Sequence, residues 1–168
     1  MTSKSVLILG RFTAERKPVL DTLRDELRQR NFLPVVFDFD GPASRDITET
    51  IKTLAGLSRF VIADITNPKS SPLELQATIP DFMIPFVPII KKGERCFTMF
   101  ANLQNKYDWV MDVLTYDSTQ TIVDALDTLI IEPALRKHSE LMARKGRQIR
   151  RRDMQELLKA SVRRRDNR

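Results

Sequence analysis

Arg59-Phe60-Val61-Ile62-Ala63-Asp64-Ile65-Thr66-Asn67-Pro68-Lys69-Ser70-Ser71-Pro72-Leu73-Glu74-Leu75-Gln76 decides the fold. Phe60 to Ile65 is almost wholly apolar and β-branched, the composition of a central strand buried on both faces of a parallel sheet. Polarity returns at Asp64 and Thr66, and Asn67-Pro68 signals a turn. Ser71 then suits an N-cap, with Pro72 at the first helical position. Glu74 falls in the first turn of that predicted helix, beside the carboxyl end of the strand. Ligands of open α/β sheets bind at that edge.

Working outward, Ser5–Leu9 reads as a short buried strand followed by Gly10-Arg11-Phe12. Val19, Leu20, Leu23 and Leu27 recur at helical spacing between Arg16 and Arg30, and Asn31 suits a helix stop. Pro34–Phe39 is the second strand, delivering Asp38 and Asp40 into a loop. Those two carboxylates share one face by strand alternation. Ile47, Ile51 and Leu54 mark a second helix, from about Ser44 to Leu57.

Beyond Gln76 the pattern is less regular. Pro80 should stop the helix that carries Glu74. Pro85–Ile90 is a fourth strand whose two prolines are awkward for a central position and favour a place near an edge or at a strand start. A short helix is predicted over Cys96–Leu103, and a fifth strand over Trp109–Leu114. Ser118 or Thr119 should cap a long helix bearing Ile122, Ala125, Leu126 and Leu129. Alternating strands and helices imply right-handed crossovers. The expectation is a three-layer α/β fold, flavodoxin-like, with a five-stranded parallel sheet in the order 2-1-3-4-5.

Charge divides the chain. Residues 136–168 carry 13 Lys/Arg and 4 Asp/Glu, whereas the preceding 135 carry 15 and 18. A mildly acidic domain over 1–135 is therefore expected to precede a basic extension over 136–168, helical or partly disordered. Arginine clusters of this kind neutralise nucleic-acid phosphates or lie on anionic membranes, and they also occur as plain solvated extensions. One cysteine and one histidine in 168 residues exclude an internal disulfide and multi-histidine metal centres. No apolar run reaches membrane-spanning length and no secretory leader is recognisable, so a cytoplasmic protein is expected. Cys96 reads as a buried, inert thiol, His138 as an exposed helical residue, and Tyr107 and Trp109 as packing residues.

The opening Val6-Leu7-Ile8-Leu9 strand, the Ala63-Asp64-Ile65-Thr66 strand end, the Pro72-Leu73-Glu74-Leu75 helix start and the apolar Pro85–Ile90 strand resemble the TIR-like and nucleoside 2-deoxyribosyltransferase-like superfamily. The resemblance covers roughly residues 4–132. It implies a nucleotide ligand, NAD or a related molecule, with no further cofactor or metal, and cleavage of an N-glycosidic bond. On that reading Glu74 is the catalytic carboxylate, acting as nucleophile or as stabiliser of an oxocarbenium-like transition state. Arg11 and Phe12 would contact phosphate and base, and Asp38, Asp40 and Asp64 ribose hydroxyls. Gly10 and Ser71 complete the ligand-binding set. The chain departs from the superfamily's pattern in having Gln76-Ala77-Thr78 after the Glu-Leu pair and Pro72-Leu73 before the glutamate.

The resemblance also implies modules of immune and stress signalling, including prokaryotic defence. Three readings therefore stand together: an NAD or nucleoside N-glycosidase, a non-catalytic nucleotide-binding or self-assembling module (a homo-oligomer), and an adaptor acting through the basic tail. Bland readings stand beside them. Glu74 also suits the positive end of its own helix, and Asp64 suits a turn cap.

Overall fold

A computed structural model describes residues 4–38, 45–66, 75–76, 78–96, 98–149 and 151–159. Its strands are β1 (Ser5–Gly10), β2 (Leu33–Asp38), β3 (Phe60–Asp64), β4 (Phe86–Lys91) and β5 (Leu114–Tyr116). All pair in parallel in the order β2-β1-β3-β4-β5. The predicted order is thus the observed one. The helices are α1 (Lys17–Gln29), α2 (Arg45–Leu57), α3 (Thr98–Lys106), α4 (Thr119–Ala125) and α5 (Glu132–Gln148).

Strand alternation sorts the core into two layers. Val6, Ile8, Phe60, Ile62, Val87 and Ile89 pack under α1 and the C-terminal helices. Leu7, Leu9, Val61, Ala63, Phe86 and Ile90 face α2, α3 and the turn carrying Leu75 and Ile79. Burial on both faces explains why β1 and β3 read as unbroken apolar runs. At the end of α1, Asn31 takes φ 64° and the Phe32 amide returns to the Leu27 carbonyl at 3.0 Å. That left-handed cap turns the chain into β2.

The second half departs from expectation in four places. First, β4 lies next to the edge strand and Pro85 immediately precedes it, as expected, but Pro88 falls inside the strand, opposite Ala63. Residues of alternating parity hydrogen-bond to opposite neighbours, and Phe86 bonds towards Trp109 and Met111. Pro88 therefore turns its nitrogen towards β5, where pairing is interrupted between the Phe86–Val110 bridge and Leu114. The missing N–H thus falls at a break in the ladder. Second, the fifth strand is Leu114–Tyr116 and not Trp109–Leu114; of the expected stretch only Val110 pairs, in an isolated bridge to Phe86. Third, Cys96 is exposed rather than buried, because it belongs to a turn after β4 whose residues are all solvent-facing. Fourth, His138 is half-buried rather than exposed.

The chain stays helical through Pro133. A π-helical segment, Leu126–Ile131, joins α4 to α5, and Pro133 falls in the first turn of α5, where its missing N–H costs least. Ser118 caps α4 by accepting the Thr121 amide proton. Ala134 and Leu141 of α5 are fully buried, and Arg144 makes a two-pronged ion pair with Asp108. The charge boundary at residue 135 therefore falls inside a helix that is docked on the body.

Candidate functional site

The carboxyl ends of β1 and β3 lie side by side; α1, which follows β1, packs on one face of the sheet, while Leu75 and Ile79, which follow β3, pack on the other. This is the topological switch point of a 2-1-3-4-5 sheet, the place where a crevice forms in such folds. Here the crevice is a cleft of about 360 Å³ lined by Arg11, Thr13, Ala14, Glu15, Arg16, Thr66 and Glu94.

A buried polar relay adjoins the cleft through two of its lining residues, Thr66 and Arg16. Asp64 ends β3 and is only 3% exposed. Its Oδ1 accepts the Thr66 backbone N–H at 3.0 Å and the Thr66 hydroxyl, which fixes the turn leaving the strand. Thr66 Oγ1 in turn accepts the Lys91 amide at 3.0 Å, tying β3 to β4. The Tyr116 hydroxyl donates to Asp64 Oδ2 at 2.9 Å, and the same Tyr116 oxygen accepts a hydrogen bond from Arg16 Nη1 at 3.1 Å. Burial and the Asp64 charge push the Tyr116 phenol up to about 12. The relay thus spans β3, β5 and the loop before α1. It holds Arg16, itself buried, along the wall of the cleft.

The β1–α1 loop is fixed at both ends. Gly10 is buried, and a Cβ there would come within 2.6 Å of Leu20 Cδ2, so glycine lets α1 approach the strand. The Phe12 amide donates to Asp38 Oδ1 at 3.1 Å, linking the loop to the end of β2. Phe12 keeps its ring 43% exposed. Thr13 begins the turn into α1 by accepting backbone protons from Arg16 and Lys17.

The predicted site residues therefore distribute unevenly. Gly10, Arg11, Phe12, Asp38 and Asp64 all gather at the carboxyl edge, with Arg11 on the cleft and Asp64 in the adjoining relay. Both Asp64 oxygens are engaged within the protein. Asp40, Ser71 and Glu74 lie outside the described residues. Thr13, Glu15, Arg16, Thr66 and Glu94, which line the cleft, and Tyr116, which bonds Arg16, are not among the predicted residues. An Asp-x-Thr spacing at a strand end could have flagged Thr66, whereas nothing local links Arg16 to Tyr116, 100 positions away.

A second cavity of about 290 Å³ runs along β5 and α4. Its lining, which includes Val113, Leu114, Ile122 and Leu129, holds no charged side chain. Among the described residues no three His, Cys, Asp or Glu side chains are grouped to hold a metal ion. No described helix is long and apolar enough to cross a membrane.

No protein-family model matches the sequence, and no curated protein matches it. Solved structures do. One is a CMP N-glycosidase from Clostridium botulinum: TM-score 0.53, 13% identity, covering 73% of this chain and 98% of that one. Another is the diflavin flavoprotein A3 from Nostoc sp., with TM-score 0.55, 7% identity, and coverage of 89% and 100%. At such identities the likeness is one of architecture: this chain has the three-layer α/β flavodoxin-like fold that both neighbours share.

Proposed function

We propose that this protein binds a nucleotide in the cleft at the carboxyl ends of β1 and β3 and hydrolyses its N-glycosidic bond, as its resemblance to the TIR-like and nucleoside 2-deoxyribosyltransferase-like superfamily implies. The observation that carries the reading is the cleft's position and chemistry. Two guanidinium groups, Arg11 and Arg16, border a polar crevice at the switch point of the sheet. Arginine matches phosphate oxygens in a planar fork. Phe12, exposed beside the cleft, offers an apolar face to a base. The architectural likeness to a CMP N-glycosidase over 98% of that chain supports the same class of substrate.

Cleaving a glycosidic bond develops positive charge on the sugar, which a nearby carboxylate stabilises or captures. On this reading Glu74 supplies it, through the resemblance of Pro72-Leu73-Glu74-Leu75. Arg11 and Arg16 neutralise phosphate and hold the sugar still, so that binding energy is used for orientation. Asp64 and Tyr116 act through Arg16 and are positioning residues.

One observation favours a second reading, a nucleotide-binding module without catalysis. Glu15, on the cleft, has a side chain 82% exposed, and Glu94 is exposed too. Neither sits in the water-poor surroundings that strengthen a catalytic charge. A panel of nucleoside 5′-monophosphates, NAD and the corresponding nucleosides separates the readings, with free base followed by chromatography and binding by calorimetry. Base release with preference for phosphorylated substrates supports hydrolysis. Binding without release supports the module. Neither binding nor release refutes both.

A further inference from the structure

The chain beyond α5 combines two features that the nucleotide cleft does not use. Met154, Leu157 and Leu158 are 80%, 47% and 65% exposed, and Ile149 is 62% exposed. Residues 154–159 are helical, so 154, 157 and 158 stand at i, i+3 and i+4 on one face. Around them Arg147, Arg151, Arg152 and Lys159 are all solvent-facing, as are Asp153 and Glu156, so the described segment is net basic. The sequence adds Arg150 and Arg163-Arg164-Arg165.

We propose that residues 147–159 dock this protein on an anionic lipid surface, the apolar face entering the headgroup region and the arginines and lysine resting on acidic headgroups. An interfacial segment needs both elements side by side, because neither a short apolar face nor a basic patch alone binds firmly. The charge division argues for the same occupant. The basic segment is drawn to an anionic surface, while the acidic body is held off it.

Other occupants fit less well. A nucleic-acid backbone engages the cations but leaves Met154, Leu157 and Leu158 in water, and no aromatic residue follows Tyr116 to stack on bases. A second copy would set identical cationic flanks against each other, and the apolar stripe is far shorter than the heptads a coiled-coil seam needs.

Flotation of the full chain with vesicles tests this, using phosphatidylcholine alone and phosphatidylcholine mixed with phosphatidylserine. The protein should float with the mixed vesicles and not with the neutral ones, and added salt should weaken the association. Arg151→Gln with Arg152→Gln should lower the partition coefficient roughly fivefold per arginine. Leu157→Gln with Leu158→Gln should lower it roughly tenfold per leucine. The melting temperature should be unchanged in both variants, since these side chains are exposed. Failure to float with the mixed vesicles at low salt overturns the proposal. So does flotation indifferent to the leucines, or retention of a DNA duplex in preference to anionic vesicles.

Discussion

Tyr116→Phe removes one oxygen from the buried relay that holds Arg16 and leaves the ring in the core with Ile122 and Leu126. That oxygen donates to Asp64 Oδ2 at 2.9 Å and accepts from Arg16 Nη1 at 3.1 Å. Its loss leaves a carboxylate oxygen without its donor and a guanidinium nitrogen without its acceptor, both in buried residues. A buried polar group stripped of its partner costs about 1–3 kcal/mol, and charged groups cost more. Asp64 keeps its two bonds from Thr66, which limits the loss to roughly 2–3 kcal/mol.

For a chain of 168 residues that loss lowers the melting temperature by about 5–10 °C. The denaturant midpoint should fall while the m-value stays constant. The relay adds a pH signature. The Tyr116 phenol is raised from 10.0 to about 12 by burial and by Asp64, with the Arg16 charge opposing. The folded state thus holds the proton more tightly than the unfolded one. The stabilisation is complete below the unfolded value and is lost as pH climbs through the folded value. On the order of 2–3 kcal/mol disappears between those limits. The variant has no such proton, so the stability gap between wild type and variant should close as pH rises across that interval. A melting temperature within about 2 °C of wild type, or a gap that stays constant with pH, would refute the relay.

Three other outcomes follow from the same structure. Leu141→Ala empties a fully buried position on α5 and should cost about 2–5 kcal/mol by denaturant titration; a near-neutral result would mean that α5 is not part of the folded body. His138 is the sole histidine, and burial, then Arg59 and Lys145, hold it below its ordinary value. Its NMR titration midpoint should lie below that value and rise in Arg59→Gln, and its contribution to stability should be lost as pH falls through the depressed midpoint. Arg11→Gln removes a charge from the cleft and should weaken nucleotide binding about tenfold or more by calorimetry, with nucleosides much less affected.

What the sequence disclosed and what it withheld have separate physical origins. Phe60–Ile65 was readable because burial on both faces demands an unbroken apolar run, and Val19, Leu20, Leu23 and Leu27 because a helix on a sheet repeats its apolar face. Those two patterns carry the strand order and both layers of the core. Pro88 misled because its tolerance depends on a gap in the neighbouring strand, and Cys96 because a thiol is usually buried while this one sits in an exposed turn. The carboxyl-edge set was half legible. Gly10, Arg11 and Phe12 follow a strand and announce themselves by position. Arg16, Tyr116 and Asp64 meet only through tertiary structure, so no local spacing could have joined them.

The central claim is that Glu74 drives cleavage of a nucleotide's N-glycosidic bond, and progress curves of free-base release by the full chain beside Glu74→Gln test it most directly. The substitution keeps size and hydrogen bonding while removing the charge. Release by the wild type is expected, with a fall of at least about a hundredfold in the variant, the scale of a lost electrostatic contact to the transition state. Nucleotide affinity should change little. Equal release by the two proteins, or none by the wild type from any nucleotide it binds, would contradict that claim.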